Sequence, residues 1–174
     1  MKYTPMPSVD RLKELFTIDE ENGILIRKQS RRGAPAGPVG CKNDRYWRCA
    51  IDGKLYLVHR VIWALVNEQD PLELEIDHIN MNKHDNRPCN LRVATRSQQM
   101  ANTRTRCTSK SGIKGIKKRN DKWLAVITVN KVKTELGLFD DKNKAIEAYI
   151  EAAKHSFGEF FYHETVCTTT RRAD

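Results

Sequence analysis

The sequence predicts an α+β fold made of small antiparallel sheets and a few helices. Short apolar runs, several of them alternating with polar residues, are separated by Gly, Asn and Asp turn residues, as in hairpins. Between these runs, apolar residues recur at helical spacing. The length of 174 residues is enough for one ordinary domain or two small ones.

The segment before Pro71 predicts a small antiparallel module with two helices. Ser8 precedes apolar residues at helical spacing, and its hydroxyl is a good N-cap. Gly, Pro and Ala are frequent in residues 29–40, which favours a loop. In order, we expect a helix over 8–16, a strand over 21–28 after a turn at Gly23, the loop, a hairpin over 45–58 around Asp52-Gly53, and a helix over 59–68.

Residues 74–106 predict a compact ββα unit. LEIDHIN at 74–80 is an apolar strand interrupted by Asp77 and His78, and LRVAT at 91–95 is a second strand. The loop between them is rich in Asn and Asp, and Ser97 can cap a helix over 98–106. Adjacent residues of a strand point to opposite faces, so the carboxylate can hold a cation while the imidazole activates a water molecule.

The last third of the chain predicts a three-stranded sheet followed by one helix. Residues 107–112 (CTSKSG) have the composition of a linker, and residues 164–174 that of a loose polar tail. The Ala-rich face of the helix is suited to lying close on a sheet. We expect strands near 113–118, 123–129 and 132–138, turns at Arg119-Asn120-Asp121 and Asn130-Lys131, and a helix over 141–156 capped by Asp140.

The positive charge is concentrated in one segment. Lys and Arg total 31 against 22 Asp and Glu, a net charge of +9, and residues 101–134 alone hold ten basic residues and one acidic residue. A basic block of this density can neutralise phosphates and release counterions, which favours a nucleic acid as partner. Because apolar residues such as Trp123 and Ile127 are interleaved with it, a folded module is favoured over a disordered tail.

Composition also excludes several classes of protein. No run of 18 apolar residues exists and the N-terminus lacks the apolar stretch of a signal peptide, so we expect an intracellular protein with no membrane partner. The five cysteines are odd in number and include no Cys-x-x-Cys pair. We therefore expect reduced packing residues, with a Cys/His zinc site as the weaker alternative.

The most specific motif lies in residues 76–104. The segment IDHINMNKHDNRPCNLRVATRSQQMANTR has a DH pair, a polar loop that ends in N-L-R, and a helix that follows A-T-x-S. In these features it resembles the core of HNH homing endonucleases of the phage type, and the looser resemblance covers about residues 9–104. It implies a ββα-metal fold, a divalent cation (Mg²⁺ or Mn²⁺), and hydrolysis of a phosphodiester bond in duplex DNA.

The same resemblance implies roles for individual residues. It makes Asp77 a metal ligand and His78 the general base that activates water, and Asn90 the residue that braces the loop and strand. The ligand position on the helix falls on Gln99, where the family has Asn or His. Gln still offers a carbonyl oxygen to a hard cation. Asn102 lies three residues on, on the same helix face, and is the alternative ligand.

Residues 111–162 resemble a second family. S-G-I-K-G-I, K-W-L-A-V-I, L-G-L-F and A-I-E-A-Y-x-E-A-A occur in the order and spacing of the Apetala/ethylene-response-factor DNA-binding domain. In that family a three-stranded sheet lies in the major groove with a helix packed behind it. The predicted DNA-binding residues of the whole chain are Arg60, Arg92, Arg104, Lys114, Lys117, Lys118, Arg119, Lys122, Trp123, Lys131 and Lys133.

Together these patterns predict a two-module DNA endonuclease. We expect the nuclease domain over 1–106, with its core at 74–106, and the DNA-binding domain over 113–163. The resemblance implies a monomer that nicks duplex DNA without a small organic cofactor, encoded by a phage and located in the host cytoplasm. The alternative is a non-catalytic DNA-binding or regulatory protein on a degraded HNH scaffold, which the departure at Gln99 keeps open. An RNA-binding protein is a third, less favoured hypothesis.

Overall fold

The computed structural model describes residues 5–31, 33, 35–40, 46–103 and 111–162. The chain divides into two units between Thr95 and Arg96. None of the helices in the described ranges is both long and apolar enough to cross a membrane. Several residues singled out above lie outside the described residues: Cys41, Arg104, Cys107, Cys167, the tail at 164–174 and most of the linker predicted at 107–112.

The first unit is a mixture of helices and short antiparallel strands. In chain order its described part contains α1 (Val9–Leu15), β1 (Phe16–Asp19), β2 (Ile24–Arg27), β3 (Gly37–Val39), β4 (Arg48–Ile51), β5 (Lys54–Leu57), α2 (Val58–Asn67), β6 (Glu75–His78) and β7 (Leu91–Ala94). The strands form the sheet β1-β2-β3 and the hairpins β4-β5 and β6-β7. A short 3-10 helix, Pro88–Asn90, leads into β7.

Local sequence signals account for most of these elements. Ser8 is the N-cap of α1, where its Oγ accepts a hydrogen bond from the backbone N–H of Arg11. Asp52 and Gly53 both have positive φ, 47° and 80°, as a two-residue type I′ turn requires. The predicted cap and hairpin are therefore confirmed, and α2 begins one residue before its predicted start.

Two strands of the first unit depart from the prediction: β1 (Phe16–Asp19), where no strand was expected, and β3. Residues 29–40 were expected to form a loop, yet Gly37–Val39 is a strand that pairs antiparallel with β2. The strand includes Pro38, which has no N–H to donate. β3 is at the edge of its sheet, the position where a strand tolerates proline.

A single hydrophobic cluster holds the first unit together. α1, β1, β2, β4, α2, β6 and β7 all contribute to it, through residues such as Leu12, Phe16, Leu25, Ile51, Val58, Ile62, Ile76 and Leu91. Burying a side chain of this size contributes about 1.5–3 kcal/mol. Ile76 of β6 and Leu91 of β7 anchor the β6-β7 hairpin in this cluster.

The second unit contains the predicted three-stranded sheet and helix. Its elements are α3 (Arg96–Ala101), β8 (Ile116–Arg119), β9 (Lys122–Val129), β10 (Val132–Phe139) and α4 (Lys142–Phe157). The strand order is β10-β9-β8, all antiparallel. Asp141, rather than the predicted Asp140, is the N-cap of α4. A Cβ at Gly115, whose φ is +76°, would lie 2.2 Å from the Tyr149 ring, so only glycine lets β8 come this close to α4.

Helix α3 differs most from its prediction. It was expected over 98–106 with Ser97 as its cap, but it begins at Arg96, and Ser97 lies inside it. The Oγ of Ser97 accepts a hydrogen bond from the backbone N–H of Asn130. Ala101 belongs to the hydrophobic cluster of Ile116, Ala125, Tyr149 and Phe157. α3 is thus part of the second unit, whereas the predicted domain boundary lay after residue 106.

Candidate active site and nucleic-acid interface

The β6-β7 hairpin positions Asp77 and His78. Its register pairs Asp77 with Arg92 and His78 with Leu91. Asp77 and His78 follow the core residue Ile76, and their side chains are buried, with exposed fractions of 6% and 5%. Because burial of a carboxylate or an imidazole is costly without polar partners, the contacts of these two side chains decide what they can do.

The carboxylate of Asp77 forms an ion pair across the hairpin. Its Oδ2 accepts hydrogen bonds from Nε and Nη2 of Arg92, both at 3.2 Å. Arg92 was predicted to contact DNA, and here its guanidinium stabilises the charge of a buried carboxylate instead of pointing away from the protein. This ion pair depends on the register of the two strands, which places Arg92 opposite Asp77.

His78 is held by a neutral partner. Its Nε2 lies 3.0 Å from Oδ1 of Asn86. Since a carbonyl oxygen only accepts, Nε2 donates, and the lone pair of this tautomer is on Nδ1. Burial lowers the pKa of His78 below its ordinary 6.5, while the hydrogen bond to Asn86 and the charge of Asp77 oppose that shift. His78 is therefore neutral at pH 7.

Asn86 is the functional residue that sequence reasoning missed. It is 1% exposed, and its Nδ2 has no hydrogen-bond partner within the described part of the chain. A Cβ at Gly23, whose φ is +66°, would lie 2.4 Å from the backbone nitrogen of Arg87. The turn between β1 and β2 thus supports the segment that carries Asn86, and only glycine fits there. Asn86 was visible in the sequence as one of many loop amides, and no periodicity distinguished it from the others.

Asn90 braces the loop between β6 and β7. Its Oδ1 accepts from the backbone N–H of Asn80 at 3.0 Å, and its Nδ2 donates to Oδ1 of Asn80 and to the carbonyl of Asp85. These are contacts that a bracing residue would make. Asn90 acts on the loop, whereas Asn86 accepts the hydrogen bond that His78 donates.

Two further rings surround His78. His59 of α2 is 4% exposed, and its ring centroid lies 5.0 Å from that of His78 in an edge-to-face arrangement. The ring of Tyr46 is 5.4 Å from His59 and 6.4 Å from His78. Burial, and to a lesser extent the neighbouring His78, lowers the pKa of His59 to about 3. Both histidines are neutral near pH 7, so the cluster carries no cationic repulsion.

The predicted metal ligands lie in different units, Asp77 in the first and Gln99 and Asn102 in the second. Oε1 of Gln99 accepts a hydrogen bond from Nη1 of Arg96, and Asn102 is buried. Among the described residues, no group of three or more His, Cys, Asp or Glu side chains could hold a metal ion. Mg²⁺ commonly takes one or two protein carboxylates with waters and substrate phosphates. A single carboxylate, Asp77, fits that kind of binding.

The sheet of the second unit presents basic residues on the face opposite α4. Ala125 and Ile127 of β9 pack with α4, so the alternate residues of the strands point the other way. The alternate residues of β9 include Lys122, Leu124 and Thr128. In the neighbouring strands, Arg119 pairs with Lys122, Lys117 with Leu124, and Lys133 with Thr128. Four predicted DNA-binding residues therefore share this basic face: Lys117, Arg119, Lys122 and Lys133. Lys118 pairs with Trp123 on the α4 side.

Other predicted DNA-binding residues make contacts within the protein. Arg60 donates to the carbonyls of Leu72 and Leu74, both at 2.7 Å. Lys114 donates to the carbonyl of Ala101, where α3 ends.

Trp123 packs against the core of the second unit, with Nζ of Lys142 over its ring at 5.2 Å. Lys131 lies in the β9-β10 turn with φ +69°.

Comparisons with known proteins find similarity in the segment that includes Asp77 and His78. Residues 56–101 match the family described as HNH endonuclease. An uncharacterised HNH endonuclease of Acanthamoeba polyphaga mimivirus, L560, is 35% identical over 109 residues, and the match covers 62% of this chain but only 56% of the relative. The solved structure of the HNH homing endonuclease I-HmuI, described as showing DNA binding and cleavage, covers 94% of both chains at 18% identity, with a TM-score of 0.40. The segment with Asp77, His78 and Asn90 is thus similar to HNH endonucleases.

Proposed function

We propose that this chain is a metal-dependent DNA endonuclease of the HNH type that nicks duplex DNA. The observation that carries the proposal is His78, a buried neutral imidazole oriented by Asn86 next to the carboxylate of Asp77, inside the segment that matches HNH endonucleases. A general base needs a lone pair at neutral pH and a fixed orientation, and His78 has both.

In the proposed reaction, His78 takes a proton from the attacking water. Nε2 stays hydrogen-bonded to Asn86, and Nδ1 accepts the proton as the water oxygen bonds to phosphorus. The bond from phosphorus to the 3′ oxygen breaks and leaves a 5′ phosphate, and the leaving 3′ oxygen takes a proton from solvent water to become a 3′ hydroxyl. The carboxylate of Asp77 favours the imidazolium that forms, because it raises the proton affinity of His78.

The residue that would hold a divalent cation is Asp77. A bound Mg²⁺ or Mn²⁺ would supply a Lewis acid that stabilises the scissile phosphate and the leaving oxygen. Arg92 donates to Oδ2 of Asp77, so a cation that binds this carboxylate competes with the ion pair. The ligand expected from α3, Gln99 or Asn102, stays a prediction; Ala variants of each, compared by the Mg²⁺ concentration for half-maximal nicking, would identify it.

The second unit is proposed to hold the duplex through its basic face. Lys117, Arg119, Lys122 and Lys133 supply exposed cations on one side of a sheet, an arrangement suited to phosphates. Arg119 and Lys133 also lie within 3.8–3.9 Å of Glu135, whose carboxylate tempers their charge. Lysine reaches phosphate well but lacks the bidentate guanine contact of arginine, so this face favours backbone over base contacts.

A plasmid-nicking assay tests the proposal. The full chain is incubated with supercoiled plasmid in Mg²⁺, and in a matched reaction with EDTA. The expected result is conversion to open circles in Mg²⁺ only. Absence of nicking with Mg²⁺ and with Mn²⁺ would contradict the endonuclease assignment.

A second candidate is a DNA-binding protein that has lost catalysis. Two observations favour it: Arg92 occupies the carboxylate of Asp77, and Arg96 occupies the amide oxygen of Gln99. Duplex binding without cleavage, in the same preparations used for the nicking assay, would support this candidate over the nuclease.

A further inference from the structure

Two adjacent aromatic residues support the loop that follows β6. Nζ of Lys83 lies 4.9 Å from the centroid of the Tyr46 ring, and Nε1 of Trp47 donates to Nδ1 of His84 at 2.8 Å. Consecutive residues of the loop thus dock on consecutive rings. None of these four residues is among those predicted from the sequence to bind DNA or metal.

The support is itself rigid. The carbonyl of Trp47 accepts a hydrogen bond from the backbone N–H of Val58, at the start of α2. A Cβ at Gly40, whose φ is +134°, would lie 2.7 Å from the Trp47 ring, so this glycine packs against it. Trp47 also packs against the hydrophobic cluster of the first unit. The loop residues are therefore held in place before any ligand arrives, which reduces the entropy lost on binding.

The contacts leave both loop residues with donors to offer. Among the described residues, the Lys83 ammonium has no carboxylate within ion-pair distance, and it lies over the Tyr46 ring. His84 accepts at Nδ1 from an indole that can only donate, so its remaining nitrogen, Nε2, carries the hydrogen. His84 is exposed. The pair thus presents one cation and one neutral N–H donor.

The pair also lies close to His78. The Tyr46 ring that holds Lys83 is 6.4 Å, centroid to centroid, from the His78 ring. Lys83 is near enough for its charge to act on the imidazole of His78. An unpaired ammonium and an N–H donor beside a general base are suited to the oxygens of a phosphodiester.

We propose that Lys83 and His84, held on Tyr46 and Trp47, form a clamp for the DNA backbone phosphates next to His78. The clamp rests on the proposed endonuclease function and deepens it by naming the residues of the first unit that contact the substrate backbone. Lys83 would supply the charge, and His84 a directed hydrogen bond.

The clamp is tested with the full chain on a 20-base-pair duplex and on supercoiled plasmid. Lys83→Met removes the ammonium and keeps a side chain of similar length, whereas Lys83→Arg retains a charge. Lys54→Met is the matched control, because Lys54 is an exposed lysine at the start of β5. Losing one phosphate contact should reduce the slope of log affinity against log salt by about 0.9. We expect this reduction in Lys83→Met, with its nicking rate at saturating protein lower by roughly a hundredfold. Lys83→Arg should restore the slope.

His84→Phe keeps the ring and removes the donor. Because the lost donor is neutral, we expect weaker duplex binding with an unchanged salt slope. Slopes and rates of Lys83→Met equal to those of Lys54→Met would overturn the clamp, even if the wild type nicks DNA. A reduced slope in Lys83→Met together with a wild type that binds but never nicks would support the clamp and contradict the endonuclease. Melting temperatures verify that each variant is folded.

Discussion

The two units hold their polar groups in opposite ways. In the β6-β7 hairpin, Asp77, His78 and Asn90 are at most 6% exposed, and each is hydrogen-bonded to another protein group. On the sheet of the second unit, the side chains of Arg119, Lys122 and Lys133 are 54–59% exposed. Buried groups act through orientation and proton affinity, whereas exposed charges act through long-range attraction that salt screens.

Because of this difference, we expect mutations in the two regions to impair different steps, the nicking rate in one and DNA binding in the other. Changes to the buried polar groups of the hairpin should alter the rate or its pH dependence and leave binding nearly intact. Changes on the basic face should alter binding and its salt dependence and leave the rate at saturating protein intact.

The largest effect is expected from His78→Ala. Loss of the general base should lower the nicking rate on the order of 10²–10⁴-fold, with duplex affinity nearly unchanged. The rate is measured under single-turnover conditions. His155→Ala, on the exposed part of α4, is the control, and near-normal cutting by a folded His78→Ala variant would remove His78 from the mechanism.

The next effect is expected when all four residues of the basic face are changed to alanine. If each contacts one phosphate, the salt slope should fall by about 3.6, at roughly 0.9 per contact. Affinity is measured by duplex titration at several salt concentrations. Lys144→Ala and Lys154→Ala, at exposed positions of α4, serve as controls. If the nicking rate at saturating protein fell together with the salt slope, the basic face would act on the rate as well as on binding, against this prediction.

A third effect concerns stability at low pH. Above pH 6.5 both folded and unfolded states hold His59 neutral; as the pH falls toward the folded pKa of about 3, only the unfolded state takes up the proton. Stability is therefore lost on acidification by about 1.4 kcal/mol per pH unit, or about 2 kcal/mol between pH 6.5 and 5. Urea unfolding at the two pH values measures it. His59→Phe should remove this part of the loss, and equal losses in both proteins would show that His59 is not the cause.

The smallest effect is a shift of the pH–rate profile. The hydrogen bond that His78 donates to Asn86 raises the pKa of His78, so Asn86→Ala should move the acid limb of kcat/KM to lower pH. Asn86→Asp places a carboxylate there and should move the limb to higher pH by about one unit. Profiles that coincide with wild type in both variants would mean that Asn86 does not act on the base.

The sequence alone determined the features that depend on local pattern. The Asp52-Gly53 hairpin, the cap at Ser8, the sheet of three strands with α4, and the concentration of charge all follow from residue type and spacing. The Asp77-His78 pair was conspicuous because two polar residues interrupt an apolar strand. Such signals are readable because backbone periodicity repeats within a few residues.

The tertiary structure decided what depends on contacts between distant residues. Asn86 meets His78 only because Gly23 and Asn90 fix the loop, and Arg92 meets Asp77 only through the strand register. Helix α3 belongs to the second unit because Ala101 is buried in that core, which its own short sequence could not reveal. Loops have no period, and a short helix has no core of its own, so packing rather than pattern places their side chains.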